Sequence, residues 1–224
     1  SDDAFKGVDA ILIYADGGGR HPAIQPARTK LINDLIAKGV GVGCAHYGVE
    51  VPAGDTGKTM QDWIGGYYEH KFSVNPMWAP DFKTFPKHPI TNGVKPFKVV
   101  DEWYFNMRFR QDGVGKITPI LAAKPGKDVR DGPYVYPKGP YQHILDAQGR
   151  SETTMWAYER PNGSRGFGFT GGHKHVNWGN DNYRKVVLNG LLWLAKADIP
   201  KNGADSKVTA EELKQNLDPK GRRK

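Results

Sequence analysis

The stretch Gly39-Val-Gly-Val-Gly-Cys-Ala-His-Tyr-Gly-Val-Glu50 decides the fold of this chain. It begins with small and β-branched residues, which is typical of a strand buried on both faces. His46 then lies between Cys44 and Gly48, as the exposed residue of a strand-to-helix elbow lies between two small residues. We therefore predict a buried strand that contains Cys44 and presents His46 at the turn. A tight strand exit with a solvated histidine is the alternative interpretation.

The preceding segment completes a βαβ unit. Residues 8–15 are mostly apolar, which predicts a second strand buried on both faces, and they run into the glycine-rich loop 16–22. Apolar side chains then recur at helical spacing between Leu31 and Ile36, and Gly39 ends this helix. Two strands joined by a helix imply parallel pairing. The loop lacks the G-x-G-x-x-G spacing of a dinucleotide site.

The chain enters a buried strand within its first ten residues. A doubly wound sheet normally has an earlier strand, so we expect the sequence to be a fragment that lacks an N-terminal strand and loop. We also expect the pocket to be open on that side. Apolar surface along the exposed strand edge would promote association, and a homo-oligomer is therefore among the expected partners.

Length and composition indicate one domain with a trailing tail. The chain has 224 residues, of which 38% are hydrophobic and 25% are charged, and this length can bury a sizeable core. We place the α/β domain at residues 1–200 and a polar, basic tail at residues 201–224. Within the tail, Thr209 and Glu212 have the spacing of a capping box, which predicts a short helix.

The net charge of +8 does not by itself indicate a nucleic-acid partner. Part of this charge lies at the end of the chain, where Lys220, Arg222, Arg223 and Lys224 cluster. That arrangement favours a solvated terminus over a binding face, so we expect no nucleic acid to bind. No apolar run is long enough to cross a bilayer, and the single cysteine, Cys44, excludes an internal disulfide framework.

Four polar clusters lie at or near the ends of predicted strands. They are residues 16–21, His46, the pair at 101–102 and residues 173–178. Parallel strands deliver their carboxyl ends to one edge of a sheet, so these clusters can converge in one pocket. We predict that His46, Glu102 and His173 lie around a single cleft at this edge.

Asp101 and Glu102 interrupt an apolar segment that predicts a strand. Burying a carboxylate without a partner is costly, so two interpretations stay open. In one, an acid works as a general acid or base in a cleft. In the other, a loop amide or an arginine such as Arg108 satisfies the carboxylate.

His173 and His175 have the spacing that places two imidazoles on one face of an extended segment. This spacing is compatible with zinc or another divalent ion. Two histidines do not make a site, and a third ligand would have to come from His46, His21 or an acid. We expect no bound cofactor, with a metal at His173 and His175 as the alternative.

The six tryptophans invite a carbohydrate-stacking interpretation. Aromatic side chains dominate burial in domains of this size, so we expect most of them in the core. Trp178 lies next to a loop rich in glycine and histidine, and it is the one that we expect to line a pocket.

Taken together, these landmarks resemble the trehalose-utilisation (ThuA-like) family over about residues 8–200. The residues that carry the resemblance are Asp16-Gly-Gly-Gly, Gly43-Cys-Ala-His46-Tyr, Trp63-Ile-Gly-Gly66, Asp101-Glu-Trp-Tyr104 and Gly171-Gly-His173 with Trp178. The resemblance implies an α/β fold, namely a flavodoxin-like three-layer α/β/α sandwich of the class I glutamine-amidotransferase type with a mostly parallel sheet. In this family the amidotransferase nucleophile is replaced at the elbow, which agrees with His46 there. Family members begin with a further strand and a histidine-containing loop.

The resemblance also implies a bacterial protein of sugar metabolism that acts on oxidised (keto) disaccharides, with a small carbohydrate as its partner. The leading hypothesis is an isomerase or hydrolase in which His46 and His173 move protons. Glu102 would orient an imidazole or act as the acid. The residues expected to bind substrate are Asp16, Gly17, Gly18, His21, Tyr47, Asp101, His175 and Trp178. If an upstream leader is missing, the periplasm or secretion is favoured over the cytoplasm.

Two alternatives belong to other classes of function. One is amidotransferase-like hydrolysis through Cys44 with His173 as its base. A thiol nucleophile must be exposed and activated, and the elbow spacing argues that Cys44 is neither. The other is a non-catalytic carbohydrate-binding domain, which the fold alone does not exclude.

Overall fold

The computed structural model of the chain describes residues 2–215 and residue 217. The predicted basic cluster at 220–224 lies outside these described residues. The long strands of the structure are β1 (Ala10–Ile13), β2 (Gly41–Ala45), β9 (Lys116–Ala123), β10 (Glu152–Glu159) and β11 (Arg165–Phe169). The helices are α1 (Pro26–Ala37), α2 (Asp55–Ile64), α3 (Lys127–Asp131), α4 (Gln142–Leu145) and α5 (Asp181–Leu194).

Six strands of two residues each lie between α2 and β9. They are β3 (Gly66–Tyr67), β4 (Met77–Trp78), β5 (Asp81–Phe82), β6 (Phe97–Lys98), β7 (Asp101–Glu102) and β8 (Arg108–Phe109). They pair as three small antiparallel ladders, β3 with β8, β4 with β7 and β5 with β6. Short 3-10 turns include His46–Val49, His175–Gly179 and Glu212–Lys214.

The five long strands form one sheet in the order β1-β2-β11-β10-β9. β1 pairs in parallel with β2, and β2 pairs in parallel with β11. β10 is antiparallel to both β11 and β9, so four strands share one direction and β10 opposes them. The βαβ unit predicted from residues 8–45 is therefore confirmed.

Helices cover both faces of this sheet because the side chains of its strands point alternately to opposite faces. Val42 and Cys44 of β2 pack in one apolar cluster with Ile32 of α1 and Trp63 of α2. On the other side, residues of β11 pack in a second cluster with residues of α5. The members of that group are Phe167, Phe169, Val186, Val187, Trp193 and Leu194. The prediction that most tryptophans belong to the core is confirmed by the burial of Trp63, Trp103, Trp156 and Trp193.

Two predictions about strands were wrong. The strand predicted at residues 8–15 is limited to Ala10–Ile13, and all four residues are half-buried because β2 is its one strand neighbour among the described residues. The strand predicted around Asp101 and Glu102 is the two-residue β7, which pairs with β4 outside the main sheet. Its buried carboxylates need partners that a sheet ladder does not offer.

The segment after α5 contains the predicted capping-box residues. The Thr209 hydroxyl accepts a hydrogen bond from the Glu212 backbone N–H, and the Glu212 carboxylate accepts one from the Thr209 N–H. The turn that they begin is a single 3-10 turn. None of the described helices is both long and apolar enough to cross a membrane.

Candidate active site

The carboxyl end of β2 presents His46 at a sharp turn. Strand residue Cys44 is fully buried, and the backbone of His46 takes a φ of 48°, in the left-handed region that few residues other than glycine adopt. Gly48 follows, and a Cβ at this position would lie 2.7 Å from the carbonyl oxygen of Ile13. The chain can make this turn because Gly48 has no side chain, and His46 takes the elbow position that its spacing predicts.

His46, Glu102 and His173 meet at this turn, which confirms the predicted convergence of the three residues. The Nδ1 atom of His173 lies 2.7 Å from Oε2 of Glu102, and Nε2 of His46 lies 3.7 Å from the same oxygen. The two imidazole rings are 5.3 Å apart, edge to face. The phenol of Tyr104 is 3.3 Å from Nε2 of His46. Two imidazoles, a carboxylate and a phenol therefore share one small volume.

These groups line a cleft of about 590 Å³, which is within the usual range for small-molecule sites. The residues of its wall are Tyr14, Ala15, Asp16, His46, Tyr47, Glu50, Asn75, Glu102, Tyr104, Tyr136, Gly172 and His173. The cleft opens at the carboxyl ends of the parallel strands, where open α/β sheets bind ligands. A larger cavity of about 760 Å³ lies at the amino ends of β1 and β2, and none of the described residues that line it is a histidine.

Asp101 positions the segment that carries His173. Its Oδ2 atom accepts hydrogen bonds from the Gly172 N–H at 3.0 Å and the Tyr183 hydroxyl at 2.7 Å. Its Oδ1 atom accepts from the Lys174 N–H at 2.9 Å. Burial opposes ionisation, but these hydrogen bonds lower the pKa of Asp101. Asp101 was predicted to bind substrate; instead it is fully buried and ties its own segment to residues 172–174.

Residues around the cleft orient the side chains of His46 and Glu102 through hydrogen bonds. The Thr170 carbonyl lies 3.2 Å from Nδ1 of His46, so that nitrogen carries the proton and Nε2 faces Glu102 with its lone pair. The Asn75 amide donates to Oε1 of Glu102 at 2.8 Å. Oε2 of Glu102 is the oxygen that faces both imidazoles.

Burial changes the acid–base properties of the cleft. Desolvation raises the pKa of Glu102 to about 7, with repulsion from Asp101 and Glu50 adding to it and the Asn75 hydrogen bond opposing it. Desolvation also raises the pKa of Glu50 to about 7. The same cause lowers the pKa of His46 and raises that of Tyr104 well above its ordinary value. The carboxyl groups of Glu102 and Glu50 can therefore each take up or release a proton near neutral pH.

The cleft includes only part of the set predicted to bind substrate. Asp16 and Tyr47 line it, and Tyr47 is 38% exposed. Trp178 is behind the cleft wall, in edge-to-face contact with the ring of Tyr14. Gly17 packs behind the wall, where a Cβ would lie 2.8 Å from the Glu50 carbonyl oxygen, and the Gly18 N–H donates a hydrogen bond to that oxygen at 2.8 Å. Trp178 is not among the described residues that line this cleft, so the prediction that it lines the pocket was wrong.

The two remaining histidines of the prediction do not reach the cleft. His21 is fully buried; its Nε2 lies 2.9 Å from the Gly48 carbonyl, and its Nδ1 accepts from the Ala23 N–H at 3.1 Å. Both ring nitrogens are satisfied by backbone groups, so His21 supports the loop. His175 is exposed and begins the 3-10 turn after the cleft segment. His173 and His175, the alternative metal ligands, are not members of one group of three possible ligands among the described residues, since only His173 lies with His46 and Glu102.

Besides Ala15 and Gly172, sequence reasoning missed five residues of the cleft wall that carry aromatic or polar side chains. They are Tyr14, Glu50, Asn75, Tyr104 and Tyr136. Glu50 ends the stretch that decides the fold, and Tyr104 follows the 101–102 pair by two positions, so both were adjacent to residues already singled out. Asn75 and Tyr136 carry no local signal, since they approach the cleft from distant loops.

Cys44 offers no exposed nucleophile. It packs in the apolar cluster between the sheet and α1 and α2, and burial raises the pKa of its thiol far above the ordinary value. A catalytic thiol must be accessible and easily ionised. Cys44 is therefore a buried residue of the strand, and His46, two positions later, is the side chain that lines the cleft.

Fold and site together define an α/β protein with a His–Glu–His cleft at the carboxyl ends of parallel strands. The family profile described as trehalose utilisation (ThuA) matches residues 1–194. The chain therefore belongs to the ThuA family. No curated protein matches it by sequence.

Among solved structures, the chain is similar to a ThuA-like protein from Bacteroides uniformis ATCC 8492. The TM-score is 0.56 at 14% identity, and the match covers 83% of this chain and 69% of that chain. At this identity the likeness shows a shared fold and nothing about shared residues.

Proposed function

We propose that this protein is an enzyme that isomerises or hydrolyses a keto-sugar by acid–base chemistry in the cleft of His46, Glu102 and His173. The observation that carries the proposal is the 2.7 Å contact between Glu102 and His173 in the wall of that cleft. Membership of a family described as trehalose utilisation supports a disaccharide as the substrate class. We also infer that the sheet with helices on both faces is the flavodoxin-like, class I glutamine-amidotransferase-like sandwich of that resemblance.

Isomerisation of a keto-sugar needs a base that removes the proton next to the carbonyl and a donor that stabilises the oxygen. The Glu102–His173 pair supplies a carboxylate that can accept a proton and an imidazole that can hold it. The Tyr104 hydroxyl, 3.3 Å from Nε2 of His46, is the donor that can contact the carbonyl oxygen, and Nε2 of His46 can accept a proton. We favour isomerisation because these groups suit proton transfer between neighbouring carbon and oxygen atoms.

The outer cleft is suited to a sugar ring. Three exposed tyrosines line its wall, namely Tyr14 (53% exposed), Tyr47 (38%) and Tyr136 (69%). Aromatic faces can pack against the apolar faces of sugars. Asp16 in the same wall offers a carboxylate for sugar hydroxyl groups. Such a mixture of apolar area and a few polar groups is typical of small-molecule sites.

The test is turnover of a keto-disaccharide, followed by NMR, with trehalose itself as the unoxidised comparison. We expect His46→Asn and Glu102→Gln to lower kcat/KM by about 10²–10⁴-fold, the usual contribution of a general acid or base. The matched control is His175→Asn, which removes an exposed imidazole outside the cleft and should leave turnover unchanged. Full activity in Glu102→Gln would contradict the proposal, and sugar binding without turnover in the unmodified protein would indicate a binding domain instead.

A further inference from the structure

Three ligand atoms of the cleft are arranged as a metal-binding group. Nε2 of His46, an oxygen of Glu102 and Nδ1 of His173 all lie within 4.8 Å of one another. Within residues 2–215 and 217, no other group of three histidine, cysteine or acidic side chains meets this criterion. Two imidazoles and one carboxylate form a donor set that binds divalent transition metals and leaves further positions open.

The outer contacts direct these three atoms toward one point. The Thr170 carbonyl engages Nδ1 of His46 and leaves Nε2 as the ligand, as outer partners of metal-bound histidines do. Asn75 holds Oε1 of Glu102 and leaves Oε2 for the ion. Asp101 fixes the backbone on both sides of His173. The three donors are therefore held in place by the protein before any ligand binds.

The spacing of the donors fits such an ion after a small adjustment. Donors bound to zinc at about 2.0–2.2 Å in a tetrahedral site are roughly 3.3 Å from one another. The distances from Oε2 of Glu102 are 2.7 Å to His173 and 3.7 Å to His46, one shorter and one longer than this value. His173 has a side chain that is 49% exposed, so it can move by the few tenths of an ångström required.

We propose that His46, Glu102 and His173 bind one divalent transition-metal ion, of the zinc or cobalt type, whose open positions face the cleft. Our sequence-based expectation of no metal rested on two histidines without a third ligand. The structure instead places His46 and Glu102 beside His173, and His175 is not a member of this three-ligand group.

Metal binding does not depend on the proposed function, but with an ion bound His46, Glu102 and His173 would all be ligands and would not exchange protons at their ligating atoms. Oε2 cannot ligate an ion and carry a proton at the same time. His46, Glu102 and His173 would hold the ion, which would supply Lewis-acid chemistry at a substrate carbonyl. The carboxylate left for proton transfer is then Glu50, which lines the same cleft and is not a member of the three-ligand group.

The experiment is titration of the full chain with Co²⁺, followed by visible absorption and calorimetry. We expect one ion per chain and the d–d bands of a low-symmetry site without thiolate charge transfer, because Cys44 is buried in the core. His46→Ala and His173→Ala should each weaken binding by more than the roughly 10–100-fold that loss of an outer partner costs. His175→Ala is the matched control and should bind as the unmodified chain does. Circular dichroism checks that each variant is folded.

A second variant tests the outer contacts. Asn75→Ala removes the amide that orients Glu102, and we expect affinity for Co²⁺ to fall about tenfold. The proposal is overturned if the unmodified chain binds neither Co²⁺ nor Zn²⁺ stoichiometrically, or if His175→Ala abolishes binding while His46→Ala does not. Turnover of the keto-disaccharide by metal-free protein is measured separately, so failure of the metal site does not decide the proposed function.

Discussion

At the scale of single residues, His21 shows how a histidine near the cleft can be structural. Burial lowers the pKa of His21, although its hydrogen bond to Gly48 opposes the shift. A lowered folded pKa means that the unfolded chain binds the proton first as the pH falls. The stabilisation from neutral His21 is therefore present above the ordinary histidine pKa of about 6.5 and is lost below it.

We predict that His21→Gln lowers the free energy of unfolding by about 1–2 kcal/mol at pH 8, because two buried hydrogen bonds are disturbed. At pH 5.5 the difference from the unmodified chain should be smaller, since the variant no longer has a histidine that must stay neutral. The measurement is urea unfolding at both pH values. An equal difference at pH 8 and pH 5.5 would contradict this role.

Gly17 matters for a different reason, because its position has no room for a side chain. Its neighbours are the backbone of Tyr47 and the Glu50 carbonyl oxygen, which a Cβ would approach to 2.8 Å. We predict that Gly17→Ala lowers the free energy of unfolding by about 1–3 kcal/mol through overpacking, and that it weakens sugar binding by displacing Tyr47.

The matched control is Gly19→Ala, because a Cβ at Gly19 meets nothing within 4 Å. This variant should stay within about 0.5 kcal/mol of the unmodified chain. Thermal melting and calorimetric sugar binding are measured on both variants. Equal losses in the two would show that the close approach at Gly17 does not matter.

At the scale of elements, the small ladder of β4 and β7 matters more than its size indicates. It places Asp101 where its carboxylate binds two backbone N–H groups of the 172–174 segment. We predict that Asp101→Asn lowers the free energy of unfolding by about 3 kcal/mol, since an amide donor would face existing donors in a buried site. Trypsin should also cleave faster after Lys174.

Asp34→Asn is the control for this substitution. Asp34 forms an exposed ion pair with Lys30 on α1, and loss of such a pair costs only about 0.2–1 kcal/mol. Urea unfolding and the rate of tryptic cleavage are compared for the two variants. Unchanged cleavage after Lys174 in Asp101→Asn would mean that another contact holds the segment.

The sequence predicted the elements whose signal is local. The run from Gly39 to Glu50 predicted both the buried strand and the elbow at His46, because neighbouring residues determine the burial pattern and the turn. The half-exposure of β1 could not be predicted in this way, since it depends on how many strands lie beside it. The shortness of β7 could not be predicted either, because the groups that bind its two carboxylates are distant in the sequence.

The same limit applies to the candidate site. The meeting of His46 and His173 was predictable from strand polarity, because β2 and β11 are parallel neighbours. Glu102 reaches the same place from β7, outside the main sheet, which strand polarity does not predict. The partner of Glu102, Asn75, is 27 positions away in the chain, and the amides that bind Asp101 are more than 70 positions away. Buried polar residues must be satisfied, but the sequence does not say by which group.

At the scale of the whole molecule, the polarity of the sheet separates two cavities. The parallel strands end at the cleft with its histidines and carboxylates, whereas the larger cavity at their amino ends is lined by apolar and lysine side chains with two aspartates. The chemistry of the lining and the direction of the strands both favour the smaller cleft as the reacting site.

The central claim is that this cleft moves a proton next to the carbonyl of a keto-sugar. Its most direct test is incubation of the unmodified protein with a keto-disaccharide in D₂O, followed by proton NMR of the positions beside the carbonyl. We predict enzyme-dependent loss of those proton signals as deuterium replaces hydrogen, and no such loss with the Glu102→Gln variant. Sugar binding with unchanged proton signals over the same period would contradict the account.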